Sequence, residues 1–280
     1  MSEAALYIVA TPIGNLGDLS ARALEVLRSV QLIAAEDTRH SARLMQHFGI
    51  GTPMWALHDH NERAQADRIV QRLQGGENIA LISDAGTPLI SDPGYHLVRR
   101  VREAGCRVIP VPGACAMVAA LCASGVATDR FRFEGFLPAK AQARQQRLEA
   151  LLQETATMVF YESPHRIMES LAALQQVFGE ARYVVLAREL TKTFETIHGD
   201  QLAALIPWIE ADPNRQRGEF VLVVQGAEPP PDDEMNPEAL RVLTLLLDEL
   251  SVKQAAALAS KITGIKKKLL YQEALRLKQE

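Results

Sequence analysis

The chain has 280 residues, 48% of them hydrophobic and 5% aromatic, with a formal net charge of −4; that length fits about two domains of roughly 100 to 200 residues each. No apolar run approaches the ~20 residues a membrane-spanning helix needs, and MSEAALYIV lacks the basic and long apolar regions of a secretion signal. These features exclude a membrane partner and point to a soluble cytoplasmic protein.

In chain order, ALYIVAT reads as a short apolar strand, followed by the loop TPIGNLGDLS and the helical pattern ARALEVLRSV. QLIAAED, PMWALH, NIALISDAG and CRVIPVPG are further strands, separated by the amphipathic stretches HSARLMQHF, ERAQADRIVQRLQ and GYHLVRRVREAG. Continuous apolar strands alternating with amphipathic helices predict βαβ units and a mostly parallel sheet. Residues 1–118 are therefore expected to form a doubly wound α/β domain. After the helical ACAMVAALCASG, the segments FRFEGFLP, TMVFYES, RYVVLAREL, FETIHG and GEFVLVVQG predict five more strands. Helices at ARQQRLEALLQE, PHRIMESLAALQQVF and DQLAALIPWIE separate some of them. Two of these strands follow one another closely around Lys192, which predicts antiparallel pairs in a second α/β domain, residues 119–226. The three cysteines, Cys106, Cys115 and Cys122, have no C-x-x-C spacing and are expected to be buried free thiols.

Three consecutive prolines and several acids make 227–237 a stiff, solvated linker. Pro237 suits a first helical position, and Leu240, Leu243, Leu247 and Leu250 mark one helix face. Ser251 and Gln254 have capping-box spacing, and Gly264 suits the end of a second helix. A third helix, KKKLLYQEALRLK, completes a small helix-turn-helix-like bundle over 238–280. Lys266, Lys267 and Lys268 fall in its first turn, where the macrodipole disfavours cations and a docked nucleic-acid phosphate would remove the conflict. From Ser251 to Glu280 the chain carries +5, leaving −9 for the rest. That asymmetry suits an anionic partner, although a solvated basic helix would look the same.

Open α/β sheets bind ligands at the carboxyl ends of their strands. Gly14 and Gly17 match neither the dinucleotide fingerprint nor the Walker pattern, which counts against a common NAD or ATP site. SDAGTPLISDPG is far richer in turn residues than one strand-to-helix connection requires, and VPGACA repeats the device. Three Gly- and Pro-rich loops predict a preorganised cleft built from backbone groups. Near the same ends, AAEDTRH, ALHDHNE, FYESPHR and LARELTKTFE turn abruptly ionic. His58 and His60 could share a strand face, but no matching Cys or carboxylate spacing accompanies them, so no metal site is expected.

TPIGNLGD, AAEDTRH, HDHNE, SDAGTPLISDPG, VPGACA, GFLPAK, FYESPHR, LARELTKTFE and GEFVLVV occur in the order seen in the tetrapyrrole-methylase-like, or class III, S-adenosylmethionine methyltransferases, which this chain resembles over nearly its whole length. More narrowly, it resembles members that 2′-O-methylate a cytidine in the decoding region of 16S rRNA. The resemblance implies S-adenosyl-L-methionine as cofactor, 16S rRNA within the 30S subunit as partner, and a homodimer. It also implies that Pro12, Gly86, Thr87, Leu89, Ile90, Cys115, Ala116, Tyr161 and Leu186 contact the cofactor. Methyl transfer to a hydroxyl benefits from a positioned base, for which Asp37, Glu62, Glu162 and Glu189 are candidates, with Lys140 or Lys192 as a nearby cation. Arg39, Lys140, Arg144 and Arg166 could bind phosphates, and Lys266 to Lys268 could hold RNA further away. A tetrapyrrole methylase using the same cleft and a non-catalytic RNA-binding protein on the same scaffold are the competing readings.

Overall fold

The computed structural model describes residues 4–58, 61–228 and 237–278, the side chains of Pro237 and Glu238 excepted. Strands β1 (Ala5–Val9), β2 (Leu32–Ala35), β3 (Met54–Ala56), β4 (Ile79–Ile82) and β5 (Arg107–Val111) form one sheet in the order β3-β2-β4-β1-β5. Every pairing in it is parallel. Helices α1 (Ala21–Ser29), α2 (Thr38–His47), α3 (Glu62–Gln74) and α4 (Tyr95–Glu103) explain the unbroken apolar strands, because both faces of the sheet are covered. Leu6, Leu32 and Leu81 pack against Ile69 and Leu73 of α3 and Leu97 and Val101 of α4. Val9, Ile33 and Ile82 face the other way, onto Ala23 and Leu27 of α1 and Met45 of α2.

The second sheet has the order β6-β7-β10-β8-β9, formed by β6 (Phe131–Phe136), β7 (Thr157–Glu162), β8 (Tyr183–Arg188), β9 (Thr196–Gln201) and β10 (Phe220–Val224). The β6–β7 pair is parallel; β7–β10, β10–β8 and β8–β9 are antiparallel, as the short β8–β9 connection requires. Helices α6 (Ala141–Glu149), α7 (Ile167–Phe178) and α8 (Leu202–Glu210) bury one face through Leu148, Leu171, Leu174 and Leu205. The other face receives α5 (Ala116–Ala123), whose Ala120 and Leu121 pack on Val159, Val185 and Val221. Residue 118 therefore lies inside a helix that leaves the first sheet and packs on the second. Because α5 buries only Ala120 and Leu121, Cys122 is exposed rather than buried, and Cys106 and Cys115 are half-buried; all three are free thiols.

The chain divides into two compact units, Met1–Gly226 and Ala227–Glu280. In the second, α9 (Pro237–Glu249), α10 (Val252–Thr263) and α11 (Lys267–Leu277) surround Leu243, Ala255, Ala256, Ala259, Leu270 and Ala274. The small alanines of α10 allow the close helix approach that so short a bundle needs. The Ser251 N–H and hydroxyl both donate to Gln254 Oε1, at 3.4 and 2.7 Å. Gly264 ends α10 at φ 77°, a left-handed conformation open to glycine. Lys266 precedes α11 as its N-cap instead of lying within the first turn, and Lys266, Lys267 and Lys268 are all exposed. Among the described residues no helix is long and apolar enough to cross a membrane.

Candidate active site

Strands β1 and β4 are neighbours whose connections leave in opposite directions, toward β2 and toward β5. This is the switch point at which parallel sheets open a crevice. The loops after the two strands are tied across it by an isolated antiparallel bridge: the Thr11 N–H donates to Gly86 O at 2.9 Å and the Gly86 N–H to Thr11 O at 3.1 Å. Beneath it the buried Thr11 hydroxyl donates to Ser83 O at 3.3 Å. The Thr87 hydroxyl donates to Ala114 O at 3.0 Å and so joins the loop after β5. Gly86 holds φ +82°, and a Cβ there would lie 3.2 Å from the Ile13 side chain. Leu89 and Ser91 also adopt left-handed φ values, 73° and 65°. Each such non-glycine residue stores ~1–3 kcal/mol, sustained only where the surroundings over-determine the backbone.

The three loops form one wall of a cleft of about 430 Å³; the start of α5 and the second sheet form the other. Gly86, Thr87 and Ile90 face Cys115, Ala116, Phe136, Tyr161, Ala187 and Val221. Tyr161 is fixed by accepting the Met117 N–H at 3.1 Å and by edge contacts with Phe133 and Phe136. Burial, with the Cys115 thiol beside it, holds its phenol well above the ordinary value, so it stays protonated. Glu36, Asp84, Asp92, Glu162 and Glu219 are also among its lining residues, none of which is Lys or Arg.

Of the residues expected to contact a cofactor, Gly86, Thr87, Ile90, Cys115, Ala116 and Tyr161 line this cleft, and Pro12, Leu89 and Leu186 do not. Leu186 points into the core under α7 and α8 while its neighbour Ala187 lines the cleft, as strand alternation demands. Leu89 is turned by its positive φ onto the core of the first sheet. Pro12 is buried, and the adjoining Ile13 takes the lining position.

The candidate bases separate further. Glu62 is buried and accepts the Leu97 N–H at 2.8 Å, so it caps α4 and stays away from the cleft. Asp37 caps α2 through the Arg39 N–H at 2.8 Å and pairs with the Arg39 side chain at 3.1 Å. That side-chain bond, then the backbone bond, holds its carboxyl down to about 2. Glu189 accepts the Lys192 ammonium at 2.9 Å, and Lys192 also reaches Glu219 at 2.9 Å. Burial pulls the Lys192 ammonium down, but these two carboxylates outweigh it and leave its pKa raised. The same side chain lies over Gly14, whose missing Cβ makes room for the Lys192 Cγ. Glu162 alone of the four lines the cleft. Its carboxylate takes Arg166 at 2.8 Å, the Ser170 hydroxyl at 2.6 Å and the Ser163 N–H at 2.8 Å.

Among the expected phosphate binders, Arg144 is 5% exposed and bound to Glu169 at 3.0 Å, so its guanidinium is withdrawn from solvent and already paired. Arg166 is tied to Glu162 and, at 3.1 Å, to Leu137 O. Arg39 and Lys140 remain exposed, and neither lines the cleft. His60 lies outside the described residues; among those residues no group of His, Cys, Asp and Glu could hold a metal ion. The cleft residues absent from the sequence expectations include Glu36, Asp84, Asp92, Phe136 and Glu219. The stretch SDAGTPLISDPG, which contains two of these acids, carried the signal for them.

Residues 5–206 match the family of Tetrapyrrole (Corrin/Porphyrin) Methylases, and residues 233–278 match the RsmI C-terminal HTH domain. The chain is 61% identical to ribosomal RNA small subunit methyltransferase I of Pseudomonas aeruginosa, over 99% of this chain and 98% of that protein. It is 57% identical to the protein of the same name from Escherichia coli O157:H7, over 98% and 96%. Among solved structures, uroporphyrin-III-C-methyltransferase from Thermus thermophilus aligns with a TM-score of 0.53 at 20% identity, covering 79% of this chain and 94% of that one. A diphthine synthase aligns at 0.59 and 15%, covering 79% and 90%. Those two likenesses carry the fold alone. By its two matched segments and its full-length relatives, the chain belongs to the tetrapyrrole methylase family, in the branch of the ribosomal RNA small subunit methyltransferases I.

Proposed function

We propose that the chain transfers a methyl group from S-adenosyl-L-methionine to the 2′-hydroxyl of a cytidine in the decoding region of 16S rRNA, acting as a cytoplasmic homodimer on the 30S subunit. The observation that carries this reading is the charge of the cleft at a switch point of the sheet: five acidic residues and no Lys or Arg line it, and of the five Glu162 and Glu219 are paired with Arg166 and Lys192 behind the wall. A phosphate-bearing nucleotide would be repelled there, whereas a ligand with a sulfonium and an ammonium group is favoured. Gly86 gives the close backbone approach such a ligand needs, and Ile13, Ala187 and Val221 offer apolar wall to an adenine ring.

When bound, S-adenosyl-L-methionine supplies an electrophilic methyl group. The chain's own part is to hold and align. The bridged Thr11–Gly86 loops and the Thr87–Ala114 bond keep one wall rigid, and Tyr161 fixes the other against the start of α5. Positioning of this kind is worth ~7–11 kcal/mol when reacting atoms are held in near-attack geometry. In the C-terminal unit, exposed Lys266, Lys267 and Lys268 give RNA phosphate a cationic contact at the start of α11.

Transfer of labelled methyl from S-adenosyl-L-methionine to 30S subunits, free 16S rRNA and uroporphyrinogen tests the proposal. The expected result is label in RNA, at one ribose, and none in the macrocycle. Label in uroporphyrinogen alone, or in no acceptor despite measurable cofactor binding, overturns it.

A further inference from the structure

Five acidic residues line the cleft, and the side chains of four of them are already engaged. Glu162 holds Arg166, Ser163 and Ser170, and Glu219 holds Lys192. Glu36 accepts the Asp84 N–H at 3.4 Å, and Asp84 in turn accepts the Asp37 N–H at 3.1 Å. Asp92 differs. Among the described residues no Lys, Arg or His pairs with it; it shares the cleft with the Asp84 carboxylate, whose negative charge adds to its own, and with Tyr161. Its backbone is set by Ser91 at φ 65° on one side and by Gly94 at φ 130° on the other. A Cβ at Gly94 would lie 2.9 Å from Leu81 Cδ2, so the turn that presents Asp92 rests directly on the core.

Burial raises the Asp92 carboxyl above its ordinary value, and the negative Asp84 adds to the shift. A carboxylate of that kind is a stronger base than a solvated one, and it has no counter-cation to hold its charge in place. Tyr161, on the opposite wall, stays protonated and cannot compete as an acceptor, and Asp84 is occupied by the Asp37 N–H.

We propose that Asp92 is the proton acceptor for the ribose hydroxyl, an assignment that rests on the function proposed above. As the ribose oxygen bonds to the methyl carbon and the methyl–sulfur bond breaks, the hydroxyl proton passes to Asp92. The sulfonium leaves as a neutral thioether, the carboxylate becomes a neutral acid, and the proton is later lost to water. Glu162 anchors the turn after β7, and Glu189 belongs to the Lys192 network.

The test compares wild-type full-length chain with Asp92→Asn and Asp92→Glu on 30S subunits. Asp92→Asn is expected to lower kcat by roughly 10²- to 10⁴-fold, the usual worth of a positioned base. Its affinity for S-adenosylhomocysteine, which lacks the sulfonium charge, should match wild type. Its Tm should be no lower than wild type, because a neutral amide replaces a carboxylate that burial disfavours, and Asp92→Glu should recover part of the rate. The wild-type rate should rise with pH along an acid limb that Asp92→Asn lacks. In the S-adenosylhomocysteine complex, the infrared difference between wild type and Asp92→Asn should contain a carboxyl band titrating above the ordinary Asp value of about 3.9. A near-wild-type rate in Asp92→Asn overturns the assignment while leaving the methyl-transfer function standing. A parallel loss of S-adenosylhomocysteine affinity overturns it in favour of a cofactor anchor. Failure of wild type itself to label 30S subunits overturns the proposed function, and the assignment with it.

Discussion

Two strand ends look alike in sequence and differ in the folded chain. AAEDTRH after β2 and FYESPHR after β7 are both apolar strands that turn ionic, with a carboxylate followed by an arginine. At the first, the Asp37 and Arg39 side chains are 38% and 90% exposed. At the second, the Glu162 side chain is fully buried and Arg166 keeps 24% exposure. The same residue types thus make a loose solvent pair in one place and a closed hydrogen-bonded knot in the other. Charge at a strand end locates a feature of the fold; burial decides what it is for.

The largest effect should come from the buried knot. Glu162→Ala leaves Arg166 without its carboxylate and the Ser170 hydroxyl and Ser163 N–H without their acceptor. Breaking a buried pair costs ~3–5 kcal/mol, and the partial exposure of Arg166 places this one near the low end, at about 3 kcal/mol. Urea unfolding measures it. A stability matching wild type, with activity abolished, would make Glu162 a chemical group and erase the contrast with Asp37.

A third strand end, that of β4, holds its shape through backbone. Gly86→Ala must place a Cβ at φ +82° and 3.2 Å from Ile13, in the wall that faces the cleft. The left-handed conformation alone costs an L-residue ~1–2 kcal/mol, so stability should fall by about that much. If the loop relieves the strain by moving, S-adenosylhomocysteine affinity should fall on the order of tenfold, since each tenfold is 1.4 kcal/mol. Calorimetry reads the affinity directly. Unchanged binding would take the Thr11–Gly86 bridge out of the ligand wall and leave side chains as its main determinant.

The strands and helices were legible because their apolar spacing is regular, and the loops because Gly and Pro serve few other purposes at that density. Side-chain direction was not legible in the same way. Val184 to Ala187 are all buried, so nothing in the letters says that Ala187 and not Leu186 turns toward the cleft. A strand covered on both faces lacks the alternation that would fix its parity. Partner choice was equally hidden. Glu62 stands in an ionic cluster with His58 in sequence, yet it caps a helix whose first residue is Tyr95. Such contacts depend on chain crossings that local pattern does not encode. Asp84 and Asp92 were visible only as part of a turn-rich stretch, and their separation into an engaged and an unpaired carboxylate required the fold.

The smallest effect belongs to Asp37, and it tests the contrast from the other side. Its folded carboxyl is held down to about 2 from an ordinary 3.8, chiefly by the Arg39 side chain and then by the Arg39 N–H. A depressed carboxyl contributes stability above its unfolded pKa and loses it as pH falls through the folded value, so the contribution should fade between about pH 4 and pH 2. Both groups are solvated, and screening by salt should shrink the effect further. Asp37→Asn separates the two roles of this residue, because asparagine caps a helix as well as aspartate does but cannot pair with a guanidinium. Thermal unfolding at neutral pH and moderate salt should therefore place the variant close to wild type, with what gap there is closing as pH approaches 2. A gap as large as that of Glu162→Ala, or one that persists unchanged at pH 2, would mean that burial does not separate the two strand ends.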